Sequence, residues 1–327
     1  MKVAFFSAKK YEECVFKSAQ QSGRIEYDFL EVRLTEQTAQ LAKGYEAICC
    51  FVNDVLSEKV LTELHKIGIR LVALRCAGFN NVHLPTAKKL GIRVVRVPEY
   101  SPYAVAEHAL ALLMTLNRKT HRAHARVREL NFSLEGLVGF DLHGKTVGVI
   151  GTGKIGQVFA QIMKGFGCEI LTYDPYPNEA VKKYATYVSL EEMFKRADVI
   201  SLHCPLTENT RHMIGKDAFE MMKPNVVIIN TGRGALIDTK EMVEALKVHR
   251  IGGACLDVYE EEEGIFFTDQ SNEGIQDDML ARLTTFPNVV LTSHQAFLTN
   301  EALRNIADTT TNNIVCVAEN RSCPNEI

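Results

Sequence analysis

Short apolar runs alternate with helical patterns over the first hundred residues of the chain. Residues that favour strands dominate five such runs, which lie at Lys2–Phe6, Tyr27–Leu30, Ala47–Phe51, Leu71–Leu74 and Arg93–Val97. Amphipathic patterns between the runs predict helices, for example over Ser57–Lys66 and Leu84–Leu90. Regular alternation of strand and helix predicts a parallel sheet that is covered on both faces.

The alternation of strands and helices is interrupted at Pro98 and Pro102 and resumes later in the chain. A long helix with one apolar side is predicted from about Tyr103 to Asn117, followed by a basic segment, Arg118–Arg128, that we expect to form a solvated or subunit-facing helix. Residues 131–144 contain three glycines and are predicted to form a loop.

A second series of strands begins at Thr146. The predicted strands are Thr146–Ile150, Glu169–Tyr173, Val199–His203, Val226–Asn230, Gly253–Asp257 and Val289–Thr292. Predicted helices include Leu190–Arg196 and Lys240–Val248, with Thr239 as the N-cap of the latter. The fold class is therefore α/β, with two domains.

Only about 35 residues follow the last predicted strand, which is too few for a third domain. They form one helical pattern, Asn300–Glu319, which we expect to pack back onto the N-terminal domain. The chain would then cross between the domains near Tyr100 and again near Phe297.

A glycine-rich turn connects the strand at Thr146–Ile150 to a helix. Gly151, Gly153 and Gly156 form the pattern G-x-G-x-x-G, and Asp174 ends the strand that follows the helix. In a dinucleotide site the first glycine allows the tight turn, the second admits the pyrophosphate and the third lets helix and strand pack closely. A plain βαβ turn is the alternative. The acid can accept hydrogen bonds from ribose hydroxyls and would repel a 2′-phosphate, which predicts NAD rather than NADP.

Composition narrows the functional classes. Of the 327 residues 46% are apolar and 24% charged, with a net charge of −3, which predicts a packed core and no nucleic-acid surface. No apolar stretch is long enough for a transmembrane helix, and the start is too short for a signal peptide, so no membrane partner is expected. The nine cysteines contain no C-x-x-C pair, which favours a cytoplasmic location. No metal site is expected.

Three strand ends in the second half carry polar residues that suit carbonyl reduction. Arg233 follows one strand, Asp257 and the run Glu260–Glu263 follow the next, and His294 follows the last. Because ligands bind beyond the carboxyl ends of parallel strands, these residues should face one crevice. An arginine can clamp a carboxylate, a histidine can protonate a keto oxygen, and a carboxylate can orient the histidine. Arg233 could instead be a surface turn residue, and His203 also ends a strand and competes with His294.

These motifs resemble the D-isomer-specific 2-hydroxyacid dehydrogenase family over the whole chain. The resemblance lies in residues 149–156, 230–234, 256–260 and 294–297. Residues 74–81, 51–54 and 97–102 are most similar to the fermentative members, which reduce pyruvate to D-lactate. The resemblance implies a Rossmann-type NAD-binding domain at 101–297 and a flavodoxin-like substrate domain at 1–100 plus 298–327, with the active site in the cleft between them.

The resemblance also implies roles for individual residues. It assigns catalysis to Arg233, Glu262 and His294, although the neighbouring glutamates Glu260, Glu261 and Glu263 leave the choice of Glu262 open. It places the cofactor against Gly151, Gly153, Lys154, Ile155, Gly156, Asp174, His203, Cys204, Pro205, Thr231 and Asp257. It places the substrate against Phe51, Ala77, Gly78, Tyr100, Arg233 and Phe297.

The activity implied is the reversible, NADH-dependent reduction of pyruvate to D-lactate. A bulkier 2-keto acid is one alternative, which the three aromatic rings at Phe51, Tyr100 and Phe297 disfavour. A cofactor-sensing transcriptional corepressor on the same fold is the other. The family's members form dimers or tetramers, which predicts a homodimer or homotetramer here.

Overall fold

A computed structural model describes residues 1–20 and 24–327 of the chain. The structure divides into two compact units. Unit 1 comprises Met1–Ser101 together with Phe297–Ile327, and unit 2 comprises Pro102–Ala296. Within the residues described, no helix combines the length and the apolar character needed to cross a membrane.

Unit 1 contains five parallel strands. They are β1 (Lys2–Phe5), β2 (Glu26–Phe29), β3 (Ala47–Cys50), β4 (Leu71–Leu74) and β5 (Arg93–Val95). The helices before residue 101 are α1 (Lys10–Ala19), α2 (Glu58–Lys66) and α3 (Leu84–Lys89). The strand order β2-β1-β3-β4-β5 is that of flavodoxin-like sheets, as predicted.

Alternate residues of each strand in unit 1 face opposite sides of the sheet, and helices cover both sides. Ala4, Ile48 and Val72 belong to an apolar cluster that includes Leu61 of α2. The ring of Phe5, one position along from Ala4, lies 4.8 Å from the ring of Phe16 in α1. Burial on both faces explains why the strands are almost continuously apolar.

Unit 2 begins with two consecutive helices, α4 (Pro102–Arg118) and α5 (Thr120–Arg128). Seven strands follow, β6 (Thr146–Ile150), β7 (Glu169–Tyr173), β8 (Thr186–Tyr187), β9 (Val199–Leu202), β10 (Val227–Asn230), β11 (Gly253–Leu256) and β12 (Val289–Leu291). The remaining helices of the unit are α6 (Lys154–Gly165), α7 (Leu190–Arg196), α8 (Lys216–Met221), α9 (Thr239–Lys247) and α10 (Asp278–Thr285). No residue of α5 is buried, as expected for a solvated or subunit-facing helix.

The sheet of unit 2 has the order β12-β11-β10-β9-β6-β7-β8, and every strand is parallel to its neighbours. This is the doubly wound Rossmann order with one added strand, and the direction of winding reverses between β6 and β9. The register aligns the carboxyl ends, because Ile150 pairs with both Tyr173 and Leu202, while Leu256 pairs with both Asn230 and Leu291. The residues that follow these strands therefore form one row.

The last helix, α11 (Asn300–Ala318), belongs to unit 1 and packs against α1. Its N-cap is Thr299, whose side chain accepts a hydrogen bond from the Ala302 amide. Ten of its residues are buried, so the helix supplies a large part of the core on that side of unit 1.

Several strand ends are shifted by one or two residues from the sequence prediction, and two further details differ. The N-cap of α9 is Asp238 and not Thr239, because the Asp238 carboxylate accepts the Glu241 amide at 3.1 Å while Thr239 is already helical. Strand β8 was not predicted, since two residues are too few to show a periodic pattern.

Candidate active site

The glycine turn after β6 is shaped by contacts that exclude larger residues. Gly151 has a φ of +96°, and a Cβ there would lie 2.6 Å from the Cys204 amide nitrogen. A Cβ on Gly156 would lie 1.9 Å from the carbonyl oxygen of Gly151. Around Gly153 the space is open, with nothing within 4 Å of the same position. The first and third glycines are therefore required for packing, and the second leaves room for a ligand.

The start of α6 supplies the anion-binding part of this turn. Gly153 is the N-cap residue, so the first helical turn, which contains Lys154 and Ile155, begins directly after it. Backbone N–H groups in the first turn cannot bond within the helix, and the helix dipole adds positive potential there. A diphosphate placed beside Gly153 would meet these groups.

Asp174 is held rigidly at the end of β7. Its Oδ2 accepts hydrogen bonds from the amide and the hydroxyl of Thr152, at 2.7 and 3.1 Å, and its Oδ1 accepts the Tyr176 amide. The hydroxyl of Tyr187 donates to Thr152 Oγ1 and so fixes the hydroxyl that supports Asp174. The carboxylate is thus oriented beside the glycine turn before any ligand binds.

His203 follows β9, where the direction of winding in the sheet reverses. Its Nε2 lies 2.8 Å from Ser201 Oγ, and its ring centroid lies 5.1 Å from that of Phe159. Burial lowers the pKa of His203 to about 3, so the imidazole is neutral at physiological pH. A neutral, packed imidazole suits the wall of a cofactor pocket and cannot serve as a charged proton donor. Beside it, burial raises the pKa of the Cys204 thiol to about 11, so Cys204 stays neutral too.

The loop after β10 presents Arg233. Asn230, which is buried, donates from Nδ2 to the Arg233 carbonyl at 2.9 Å and accepts the Gly232 amide on Oδ1. Gly234 packs against the loop after β11, since a Cβ there would come 2.1 Å from the carbonyl carbon of Tyr259. These contacts fix the arginine loop directly against the loop that carries the glutamates.

His294 lies in a turn that is organised by Asp257. The His294 amide donates to the Asp257 carbonyl at 2.7 Å, and the amides of Gln295 and Ala296 donate to the Asp257 carboxylate at 2.9 and 2.8 Å. His294 has a φ of +53°, a left-handed conformation that is uncommon for residues other than glycine. Three hydrogen bonds to one residue hold the backbone in that conformation.

The carboxylate of Asp257 is fully buried and negatively charged. Burial by itself would raise its pKa, but hydrogen bonds from His108, Thr292, Gln295 and Ala296 outweigh the burial and lower the pKa. The side chain has no exposed surface. The assignment of Asp257 as a cofactor ligand therefore stays a prediction, and its contacts in this structure stabilise the turn.

The structure separates the glutamates of the run 260–263. Glu262 Oε1 lies 2.8 Å from His294 Nδ1, and Glu262 Oε2 accepts the Tyr259 amide. Glu260 instead pairs with Nε2 of His212. His294 and Glu262 thus form a hydrogen-bonded pair at the same sheet edge as Arg233, and Glu260 belongs to a different pair.

In unit 1 the predicted substrate residues form two features. The ring of Phe297 lies 5.8 Å from that of Phe51 and 6.3 Å from that of Tyr100, so the three rings form an aromatic cluster. The Ala77–Gly78 loop follows β4, and Arg96 Nη1 donates to the Ala77 carbonyl at 2.8 Å. With the Ala77 carbonyl held by Arg96, the loop conformation is fixed from within unit 1.

Sequence reasoning did not identify several supporting residues. Thr152, Tyr187 and Asn230 orient Asp174 and Arg233, while His108 and Thr292 bond to Asp257. Thr152 and Asn230 lie within the motifs at 149–156 and 230–234, but the motifs do not show which side chains they support. Tyr187, His108 and Thr292 act through partners that are distant in sequence.

The residues present fit a bound dinucleotide. Gly153 leaves open space, Asp174 is oriented for a ribose, and the hydroxyl of Thr231 is buried without a hydrogen-bond partner within the described structure. Along the sheet edge, Asp174 lies at the β7 end and His294 at the β12 end, so adenosine and nicotinamide would take opposite ends of the row. Fold and site together define a nicotinamide-dependent oxidoreductase.

Comparisons with known proteins agree with this class. Residues 110–296 match the family "D-isomer specific 2-hydroxyacid dehydrogenase, NAD binding domain". The chain is 52% identical to D-lactate dehydrogenase of Escherichia coli K12, covering all of both chains. The structure of the E. coli D-lactate dehydrogenase without ligands is similar with a TM-score of 0.92 at 50% identity, covering all of both chains. The pyruvate reductase of Chlamydomonas reinhardtii matches with a TM-score of 0.95 at 44% identity, covering 99% of this chain and 98% of that one.

The chain belongs to the D-isomer-specific 2-hydroxyacid dehydrogenase family. It is an NAD-dependent enzyme, as the sequence predicted. The family assignment also confirms NAD as the cofactor.

The neutral state of His203 predicts a pH dependence of stability. In the unfolded chain a histidine gains a proton below a pH of about 6.5, whereas folded His203 stays neutral down to a pH of about 3. His203 therefore destabilises the folded state increasingly as the pH falls below about 6.5. His203→Gln should lose less thermal stability than the wild type between pH 7 and 5, measured by differential scanning calorimetry. An equal loss in both proteins would show that His203 is protonated in the folded state.

Proposed function

We propose that this protein is a D-lactate dehydrogenase, which reduces pyruvate to D-lactate with NADH in a reversible reaction. The observation that carries the proposal is the His294–Glu262 pair, 2.8 Å apart, at the same sheet edge as Arg233. The full-length similarity to the E. coli D-lactate dehydrogenase supports the choice of pyruvate and of the D isomer.

His294 is assigned as the proton donor. Its Nδ1 bonds to Glu262, which leaves Nε2 to face the substrate. NADH, when bound, supplies the hydride that adds to C2 of the keto acid. The Nε2 proton passes to the keto oxygen, which becomes the hydroxyl of the product, and Glu262 stabilises the imidazolium before the transfer.

Arg233 is assigned to the substrate carboxylate. A guanidinium can form two parallel hydrogen bonds with a carboxylate, which orients C2 as well as neutralising the charge. The hydrogen bonds of Asn230 to the Arg233 carbonyl and the Gly232 amide hold the loop in place for this role. In the reverse reaction the same contact would hold the carboxylate of D-lactate.

Unit 1 is assigned to substrate recognition, and we propose residues 1–100 and 298–327 as the substrate domain. The aromatic cluster of Phe51, Tyr100 and Phe297 supports a small substrate side chain, because large rings occupy the space that a bulkier one would need. The Ala77–Gly78 loop, with its backbone fixed by Arg96, is assigned to binding the substrate carboxylate through its amides. Residues 101–297 are assigned to NAD binding.

A direct test of the function is turnover on a panel of 2-keto acids with NADH and chiral analysis of the product. The panel contains pyruvate, 2-ketobutyrate, 2-ketoisocaproate, phenylpyruvate and glyoxylate. The proposal expects the highest kcat/KM with pyruvate and D-lactate as the product. A preference for 2-ketoisocaproate or phenylpyruvate would support reduction of 2-keto acids but would contradict pyruvate as the substrate. No turnover on any of the five would contradict the proposed function.

Replacing Arg233 by lysine should slow the reaction while preserving the charge. The expected fall in kcat/KM for pyruvate is at least ~100-fold, because a point charge cannot replace the two hydrogen bonds of the guanidinium. If the hydrogen bonds from Arg233 to the substrate carboxylate are as strong in the bound substrate as in the transition state, the loss should appear mainly as a higher KM. Arg211→Lys is the matched control, because Arg211 is exposed and forms an ion pair with Glu260 at 3.5 Å. Near-normal efficiency of Arg233→Lys would exclude Arg233 from the substrate site.

Replacing Glu262 by glutamine should move the pH profile. As the pH rises, kcat/KM for pyruvate should decline at a lower pH than in the wild type, because a neutral amide stabilises the imidazolium less than a carboxylate does. Glu260→Gln should leave this alkaline limb in place, since Glu260 pairs with His212. His294→Ala should nearly abolish turnover with NADH binding retained. A shift in Glu260→Gln alone would transfer the role from Glu262 to Glu260.

A homo-oligomer, dimer or tetramer, is proposed from the surface of unit 2. Five large apolar side chains between residues 127 and 138 are 49–84% exposed, namely Val127, Leu130, Phe132, Leu134 and Val138. Several exposed apolar side chains in one segment are typical of an interface, and we propose that a second copy of the chain covers them. Leu134→Asp should lower the molar mass found by light scattering, whereas Val248→Asp, at an exposed apolar residue elsewhere, should not. An unchanged mass would place the interface on another surface.

All nine cysteines are free, which supports a cytoplasmic location.

A further inference from the structure

The ring of Phe267 lies against the imidazole of His294. The two ring centroids are 5.8 Å apart, and the ring planes meet at 37°. Glu262 bonds to the edge of the same imidazole at Nδ1. The side chain of His294 is thus held by one polar and one aromatic partner, and both come from the loop after β11.

Local hydrogen bonds hold the backbone around Phe267. The amides of Ile265 and Phe266 both donate to the Glu262 carbonyl, at 3.1 and 3.0 Å, and Thr268 Oγ1 donates to the Ile265 carbonyl at 2.7 Å. Phe266 points into the core of unit 2, where it is 7% exposed. Phe267 has a φ of +67°, which is a left-handed backbone conformation.

A bulky aromatic residue with a positive φ is a strained conformational outlier. Such conformations persist where the surrounding structure compels them, and they concentrate at functional sites. The two consecutive phenylalanines therefore differ: Phe266 is buried within the core of unit 2, whereas Phe267 is partly buried against that core and also contacts His294. Phe266 anchors the loop in the core, and Phe267 adopts a strained conformation with its ring on His294.

We propose that Phe267 is a positioning residue for the proton donor His294. The inference rests on the proposed role of His294. The ring blocks rotation of the imidazole away from Glu262, and its electron-rich face attracts the imidazolium more strongly than the neutral ring. It also keeps water from that side of the His294–Glu262 pair, which strengthens the ion pair.

Two carboxylates lie close to His294, one at its ring and one beneath its turn. Glu262 faces Nδ1 from the loop after β11, and the Asp257 carboxylate lies beneath the turn, bonded to the amides of Gln295 and Ala296. Phe267 adds no charge of its own. Its effect on proton transfer must therefore come from the orientation and the environment of the imidazole.

The decisive variant is Phe267→Asn. Asparagine tolerates a positive φ better than phenylalanine does, so the variant removes the ring and relieves backbone strain at once. We expect an unchanged Kd for NADH and a fall in kcat for pyruvate of about 3- to 10-fold, as for loss of one aromatic contact. The solvent deuterium isotope effect on kcat should increase, because proton donation becomes slower relative to the other steps.

Two further variants separate positioning from general packing. Phe267→Tyr keeps the aromatic ring and should retain the kcat of the wild type. Phe266→Leu removes a neighbouring ring from the core and should lower the thermal midpoint with little effect on kcat or on the isotope effect. The inference is overturned if Phe267→Asn keeps wild-type kcat and isotope effect, or if Phe266→Leu changes kcat and the isotope effect as much as Phe267→Asn does.

His294→Ala, measured in the same series, distinguishes this inference from the proposed function. If His294→Ala is inactive while Phe267→Asn turns over normally, the proton donor stands and the positioning role fails. If His294→Ala retains turnover, both the assignment of the donor and the role of Phe267 fail.

Discussion

The buried carboxylate of Asp257 is the constraint on which the reactive end of unit 2 depends. It is inaccessible to solvent, and a charge in such a place is tolerated only where hydrogen bonds replace water. Those bonds come from His108 of α4, from Thr292 and from the amides of Gln295 and Ala296 in the turn after β12. The need to satisfy one charge therefore constrains the backbone of His294, because the turn cannot relax without losing hydrogen bonds to Asp257. The sheet register places the two partners side by side, because Leu256 pairs with Leu291 and Asp257 therefore lies level with Thr292.

The fold was largely predictable, because its signals are local. Each strand is a short apolar run and each glycine of the fingerprint has a steric reason, so β6, α6 and β7 follow from residues 146–174 alone. The N-cap of α9 was placed one residue late because Asp238 and Thr239 are both good caps, and only the geometry shows which one bonds to Glu241. Strand β8 depends on pairing with β7, and pairing leaves no trace in a sequence of two residues.

The site was predictable to the level of residue type and less so to the level of contacts. Motif positions led to Arg233 and His294, but four adjacent glutamates give no local reason to prefer one. Only the fold shows that Glu262 reaches His294 while Glu260 reaches His212. Phe267 was missed for a related reason, since two consecutive phenylalanines look like core residues, and the positive φ that separates their roles has no sequence signal in a phenylalanine.

The two histidines at this sheet edge have different environments. His203 packs on Phe159 and bonds to the neutral hydroxyl of Ser201, and burial lowers its pKa, so the ring stays neutral. His294 instead bonds to the carboxylate of Glu262, and this pairing is the reason that we propose His294, and not His203, as the proton donor. The residues that surround the two rings, rather than the number of histidines, therefore distinguish the two positions along the edge.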